Sequence, residues 1–342
     1  MISQRPLAWG MVGAGHIAQA YAQAFSACWD ARLVAISDTH ELAARRLAKT
    51  VGCASFGSHL AMAAEMDLDA VLVCTPPHVH ATVCRDVLQA GIAVLCEKPF
   101  GTGIEQALAI AEAARCTDTL VSMASKYRFV EDVQEAKRVV DEGCIGEIQW
   151  CDIGFTAHVD MRHRWNAEPL VSGGGVLRDN GSHAFDLMRF FLGPLASVQA
   201  VEGARPQDLR VEETVHCVVR SQAGALGQID LSWSLHKSTS HYIMLCGTQG
   251  TLTVGWQGSG YQRSGSSTWV PLGKGYDKLQ ALRRQVEHMS EAIRGTEPLC
   301  VTLEDALASV YAIEGAYKAL RCNRWEMIEP QASGSVAGGS AG

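Results

Sequence analysis

The chain has 342 residues, enough for about two domains. Hydrophobic residues make up 47% and charged residues 19%, so a large core can be buried, and a net charge of -7 with no Lys/Arg-rich block argues against nucleic acid as a partner. No apolar run reaches the roughly 18 residues of a membrane span, the start "MISQRPLAWGMVGAG" lacks the layout of a secretory leader, and twelve scattered cysteines without C-x-x-C or metal-ligand spacing read as reduced thiols of a cytoplasmic protein.

"LAWGMVGAGHIAQAYAQAF" reads as a strand, a glycine turn and a helix. The turn, Gly13-Ala14-Gly15-His16-Ile17-Ala18, is G-x-G-x-x-A. Gly13 permits a tight turn, Gly15 lets backbone approach a pyrophosphate, and Ala18 lets the helix pack close to the strand. The helix start offers N–H groups and positive potential to phosphates. "ARLVAISD" is a second strand ending at Asp38. An acid there can accept hydrogen bonds from ribose hydroxyls and would repel a 2′-phosphate, which favours NAD over NADP. Asp38 as a plain helix cap before "ELAARRLA" stays open, as does an arginine, Arg45 or Arg46, folding back to admit NADP.

"LDAVLVCTP" is a buried strand, and "HVHATVCRDVLQA" is a helix closed by Gly91. "IAVLCEKP", "GIEQALAIAEAAR" and "TLVSMAS" follow as strand, helix and strand. The alternation predicts a doubly wound parallel sheet, with ligands at the carboxyl ends of its strands. Glu97-Lys98-Pro99 directly follows an apolar strand, at such an end. A lysine there can hydrogen-bond a ribose or substrate hydroxyl and lower the pKa of what it touches; a Glu–Lys pair capping the turn is the structural alternative. His78 reads as a helix-start residue.

After "EDVQEAKRVVDEG", a helix ended by Gly143, the pattern changes to strands: "GEIQWCDIGFTAHV", "ASVQAVEGA", "VEETVHCVVR", "ALGQIDLSWSL", "HYIMLCGTQ" and "GTLTVGWQ". These predict a mostly antiparallel sheet. "TLEDALASVYAIEGAYKALR" is a final helix, about residues 302–321, with a Thr-x-x-Asp start like a capping box. The fold class is α/β, a Rossmann domain over residues 1–122, followed by an α+β domain over 123–330 and a flexible tail at 331–342.

Between the strand-rich segments lies "GGGVLRDNGSHAFDLMRFFLG". As one helix from Val176 to Leu192, it places Leu177, Ala184, Met188 and Phe191 on a core stripe. Arg178 and Arg189 share a line that looks solvated. Asp179, His183 and Asp186 form a third line beside Phe190, an enclosed polar face. Buried Asp and His need partners; i, i+4 spacing supplies one locally and a substrate could be another. Histidine, with an unperturbed pKa near 6.5, can take and return a hydroxyl proton. Gly173 to Gly175 would let the chain pass close to cofactor or substrate. A metal held by Asp179, His183 and Asp186 is disfavoured, because no softer or third-histidine ligand accompanies them.

The order G-x-G-x-x-A, then Thr75-Pro76-x-x-x-His80, A-G-I-x-V-x-x-E-K-P, Tyr127-Arg128-Phe129 and G-G-G-x-L-x-D-x-G-x-H resembles the Gfo/Idh/MocA family of sugar and cyclitol dehydrogenases, over roughly residues 6 to 328. The resemblance implies hydride transfer between NAD(P) and a carbinol carbon. It implies His183 as acid/base, assisted by Lys98 and Asp179. It also implies that the second sheet is open, with a homodimer or homotetramer formed through it, and a last helix that packs back on the first domain. Candidate cofactor contacts are Gly13, Ala14, Gly15, His16, Ile17, Asp38, Thr75, Pro76, His80, Glu97 and Lys98. Candidate substrate contacts are Lys126, Tyr127, Arg128, Arg164 and Trp165. Two departures stand out: Pro77, where many relatives carry asparagine, and Lys126, where relatives often carry a neutral amide. An NAD-dependent glycosidase and a non-catalytic nucleotide sensor are the competing readings of such a chain.

Overall fold

The computed structural model describes residues 5–328; the tail expected at 331–342 lies outside the described residues. In the first half, strands and helices alternate: β1 (Leu7–Val12), α1 (His16–Phe25), β2 (Ala31–Ser37), α2 (Glu41–Val51), β3 (Ala54–Phe56), α3 (His59–Glu65), β4 (Ala70–Val73), α4 (His80–Gln89), β5 (Ala93–Glu97), α5 (Ile104–Thr117) and β6 (Val121–Ala124). The six strands run parallel in the order β3-β2-β1-β4-β5-β6. Every residue of β4 and β5 is buried, which explains why their sequences are apolar up to Glu97 at the end of β5, since a sheet covered on both faces has no solvent side. The chain leaves β1 toward one edge, returns, and continues from β4 toward the other. A crevice therefore opens at the carboxyl ends of β1 and β4.

The second half begins with α6 (Glu131–Asp141), β7 (Ile148–Thr156), the single turn α7 (Pro169–Ser172) and the long helix α8 (Val176–Leu192). Next come β8 (Leu195–Glu202), β9 (Thr214–Ser221), β10 (Leu226–Ser232), β11 (His241–Gly247), β12 (Gly250–Gly255), β13 (Ser259–Arg263) and β14 (Val270–Gly273). The described chain closes with α9 (Lys278–Ile293), α10 (Leu303–Cys322) and β15 (Glu326–Met327). These strands form one sheet, β14-β13-β12-β11-β7-β10-β9-β8-β15. All its pairings are antiparallel except β7 with β10. That pair is parallel because α8, β8 and β9 intervene, and parallel neighbours need such a crossover.

Two helices tie the halves together. The α10 helix opens with the expected capping box, Thr302 with Asp305, and packs on β8 and α8 on one side and on α5 and β6 on the other. The α9 helix, which the sequence reading did not assign, sends Leu282, Val286 and Met289 into the same core cluster as Trp9, Tyr21 and Phe25. One face of the first sheet is thus covered partly by a helix from the far end of the chain.

The α8 helix has the expected bounds, and Leu177, Ala184, Met188 and Phe191 are all buried. Its start differs from expectation. Gly173, Gly174 and Gly175 do not face the cleft: a Cβ on each would strike Thr102, Tyr317 and Glu212 respectively. The glycines let the loop pass against protein, not ligand. Glu212 then does what an N-cap side chain would do. Its Oε1 accepts the N–H of Gly175 at 2.9 Å and of Leu177 at 3.2 Å, and Tyr317 donates to it at 2.7 Å. The expectation that Arg178 and Arg189 are solvated is also corrected. Arg178 is buried against the Tyr317 ring and pairs with Glu314, and Arg189 pairs with Asp305 at 3.0 Å.

Candidate active site

A cleft of about 1140 Å³ runs along the carboxyl ends of the first sheet and is closed at one end by α8. At the other end lies the glycine turn. Gly13 sits at φ +102° with its Cα against the Cys74 carbonyl, where a Cβ would come within 2.7 Å. Gly15 faces open space, with nothing within 4 Å of a Cβ position. Asp38, at the end of β2, accepts the Ala14 N–H on one oxygen and the His40 N–H on the other, both at 2.7 Å. Asp38 is therefore pinned to the glycine turn and is not the cap of α2; His40 caps that helix. Arg45 is bonded to Glu41, and among the described residues no arginine lines the cleft.

The donor set fits a bound dinucleotide. Gly13, Gly15, His16, Ile17, Asp38, Thr75, Pro76, Glu97 and Lys98 all line the cleft. The Thr75 hydroxyl is buried without a partner among the described residues. A buried hydroxyl at a cleft wall needs an acceptor or donor, and a dinucleotide would supply one. His80 is different. It is fully buried and does not line the cleft; its two ring nitrogens meet the carbonyls of Pro99 at 3.0 Å and Thr75 at 2.8 Å. It clamps the loops after β4 and β5 by packing between them and by the one N–H that a neutral ring can donate to one of these carbonyls, and its burial lowers its pKa to about 4. His78, read as a helix-start residue, lies in the turn before α4 and lines the cleft.

At the α8 end, groups far apart in sequence converge. Lys98, which directly follows β5 and precedes a cis bond to Pro99, reaches across to Asp179 on α8, 81 residues away. Its ammonium bonds the Asp179 carboxylate and also donates to the Asp179 carbonyl at 3.2 Å. Asp179 therefore finds its partner in Lys98, not in His183 one turn later. Glu97, which also lines the cleft, accepts from the Tyr21 hydroxyl at 2.9 Å and from the Lys98 N–H at 3.1 Å. Burial raises its pKa.

His183 is buried against the edge of Tyr127, with ring centroids 4.9 Å apart, and it also lines the cleft. Burial, then the positive charges of Lys98 and Lys126, hold its pKa well below the ordinary value. It is therefore a neutral imidazole at pH 7, able to accept a proton. Tyr127 stacks at 5.2 Å on Tyr276, which continues the aromatic wall behind it.

Other candidates separate here. Lys126, Tyr127 and Trp165 line the cleft. Arg128 does not. It is buried, bonds both oxygens of Asp186 at 3.0 and 2.7 Å, and reaches the Cys300 carbonyl at 2.9 Å and Asp305 at 3.2 Å. Asp186 thus shares a helical line with His183 but serves an internal ion pair. Arg164 is exposed and does not line the cleft; the neighbouring Trp165 and Asn166 do. Sequence reasoning missed Asn166 and Asn180 at the α8 end, and Thr39, Ser58 and His59 near Asp38. The latter two follow β3, a strand of three residues too short to be recognised by pattern. No group of His, Cys, Asp and Glu suited to a metal ion occurs among the described residues.

Comparison with known proteins decides the family. Residues 7–125 match the oxidoreductase family with the NAD-binding Rossmann fold, GFO/IDH/MocA, and residues 133–253 match the GFO/IDH/MocA C-terminal domain. The chain belongs to the GFO/IDH/MocA oxidoreductase family. An inositol 2-dehydrogenase of Rhizobium meliloti strain 1021 is 33% identical over 189 residues, a match that spans 54% of each chain, about half the length of that relative. The rhizopine catabolism protein MocA of Rhizobium meliloti is 25% identical over 91% of this chain and 94% of its own. A levoglucosan dehydrogenase, solved with NADH and levoglucosan, superposes with a TM-score of 0.89 at 18% identity, covering 95% of this chain and all of that one. This GFO/IDH/MocA member is accordingly an NAD-binding oxidoreductase in which a parallel six-stranded sheet is joined to a mostly antiparallel nine-stranded one. None of its described helices is long and apolar enough to cross a membrane.

Proposed function

We propose that this protein is an NAD-preferring dehydrogenase that oxidises a secondary alcohol of a sugar, cyclitol or related polyol, or reduces the corresponding ketone. The observation that carries the reading is the meeting of Lys98, Asp179 and His183 at one end of a cleft whose other end holds the glycine turn and Asp38. A nicotinamide cofactor held along the glycine turn, Asp38 and Thr75 would supply the hydride acceptor or donor. The remaining work belongs to this chain. His183, neutral and beside an open cleft, takes the hydroxyl proton at a ring nitrogen and returns it in the reverse direction. The ammonium of Lys98, oriented by Asp179, donates to the same oxygen and stabilises charge that develops there. Tyr127, Trp165, Asn166 and Asn180 supply an apolar face and amides for the remaining hydroxyls, as polyol binding requires. The inositol and levoglucosan dehydrogenases among its relatives support this substrate class.

NAD is preferred because Asp38 is fixed at the glycine turn with no arginine, among the described residues, in the cleft wall. A 2′-phosphate 4 Å away would meet repulsion of up to about 4 kcal/mol at an effective dielectric near 20, before screening by salt. The uncovered face of the nine-stranded sheet is the surface on which we place a homodimer or homotetramer, checked by sedimentation. The twelve cysteines are all free, in keeping with a reducing cytoplasm. The test is an absorbance screen at 340 nm with NAD(H) and NADP(H) over aldoses, deoxysugars, sugar acids and inositols. The reading expects net NADH formation with at least one of them; glycoside cleavage without net NADH would favour a glycosidase, and NADH binding without turnover would favour a sensor.

A further inference from the structure

Two lysines line the cleft, and they are not equivalent. Lys98 is spoken for by Asp179. Lys126 forms no ion pair or hydrogen bond among the described residues; its ammonium lies beside the rings of Tyr127 and Tyr276, 5.2 and 5.9 Å from their centroids. It leaves the chain two residues beyond the carboxyl end of β6, next to the end of β5 that carries Glu97 and Lys98.

The charges around it do not compensate it. Burial and the repulsion of Lys98 and Lys278 push its pKa down to about 8, against the attraction of Glu97 and Asp179. Those two acids are committed elsewhere, Glu97 to the Tyr21 hydroxyl and the Lys98 N–H, and Asp179 to the Lys98 ammonium. An ammonium partly withdrawn from water at a half-buried position of the cleft wall, with no carboxylate partner, is costly to keep. A neutral methionine or glutamine would fill the same space between two tyrosine rings without that cost. The cation makes sense if something anionic completes it when the cleft is filled.

We propose that Lys126 is the recognition cation for a carboxylate on the substrate, so that the reacting carbinol belongs to a sugar acid or polyhydroxy acid and not to a neutral sugar or cyclitol. This rests on the dehydrogenase reading above and narrows it. A carboxylate fits better than a phosphate. A monoanion is matched by one ammonium, whereas a phosphate wants several donors and often a planar arginine fork, and among the described residues no arginine lines the cleft. Asn166, Asn180 and Trp165, which line the same end, remain for the hydroxyls and the carbon skeleton.

The experiment uses the full chain loaded with NADH and reads cofactor fluorescence during titration with matched probes: D-glucuronate against D-glucose, D-gluconate against D-glucitol, and D-glucose 6-phosphate as the phosphate arm. Each acid should bind about tenfold or more tighter than its neutral partner, the size expected of one charge-assisted hydrogen bond, and tighter than the phosphate. Lys126→Gln should bring each pair within about twofold, and Lys126→Arg should retain part of the preference. An unchanged NADH affinity in both variants shows that the cleft is intact. Equal or better binding of the neutral partners, tighter binding of the phosphate, failure of both acids to bind up to their solubility limit, or an acid preference that survives Lys126→Gln would each overturn the proposal. Failure of the dehydrogenase reading is seen separately, as no NADH formed from NAD with any member of a wide alcohol panel. NADH formed only from neutral polyols, with no acid preference in binding, would leave that reading standing and overturn this one.

Discussion

Two glycine-rich turns start helices in this protein, and they do opposite things. Before α1, Gly15 leaves open space, with nothing near its missing side chain. Before α8, Gly173 to Gly175 leave no space, because Thr102, Tyr317 and Glu212 already occupy it. The first turn gives the Gly13 and Ala14 N–H groups to Ser37 and Asp38 but leaves its Gly15 side open to a ligand. The second gives its N–H groups to Glu212 and so fixes the helix that carries Asp179 and His183. Glycine content by itself therefore does not locate a ligand; what a Cβ would meet there does.

The largest expected effect falls on the second turn. Gly175→Ala drives a Cβ into the Glu212 backbone and should cost about 3 kcal/mol, as overpacking of a rigid site does; urea denaturation checks this. A cost under about 0.5 kcal/mol would erase the contrast between the two turns.

The ligand-facing side has its own internal support, and it should respond to acid. His80 is neutral in the fold, with its pKa lowered to about 4 from 6.5, mainly by burial. Below pH 6.5 the unfolded chain binds the proton first, so stability falls as pH falls toward 4, by about 3 kcal/mol for this group. His183, also depressed, acts in the same direction. His80→Gln should flatten this acid limb of the stability profile even though it loosens the clamp at neutral pH; a slope identical to wild type would remove His80 from the account.

Gly15→Ala should show the converse of Gly175→Ala. Its backbone, at φ -77°, suits alanine, so stability should change by less than about 0.5 kcal/mol. NADH binding should weaken about tenfold, or ~1.4 kcal/mol, as fluorescence titration would report. The smallest effect is expected at Asp38. Asp38→Ala should narrow the NAD-over-NADP preference roughly fivefold, since part of the calculated repulsion is screened. An unchanged ratio would leave Asp38 as a brace for Ala14 and His40 alone.

Much of this was legible in the sequence, because the signals were local. The fingerprint at Gly13–Ala18, the apolar strands β4 and β5, and the period of α8 each lie within one element. The missing parts depend on distance. β3 spans three residues and carries no pattern. α9 has regularly spaced apolar residues but no distinctive motif, and its place against α1 joins opposite ends of the chain. Arg128 and Asp186 stood in motifs that point at a ligand, yet they satisfy each other 58 residues apart. Helical spacing tells which side chains share a face, and it put Asp179, His183 and Asp186 together. It does not tell which of them meets protein. That required the fold, which brings Lys98 to Asp179 and Arg128 to Asp186, and leaves His183 facing the cleft.

The most direct test of the central claim is the turnover of His183→Ala on an alcohol that the wild-type protein oxidises with NAD. The account predicts a fall of about 10²- to 10⁴-fold, the usual worth of a positioned acid/base, with NADH affinity within about twofold of wild type. Turnover equal to wild type, at an unchanged cofactor affinity, would contradict it.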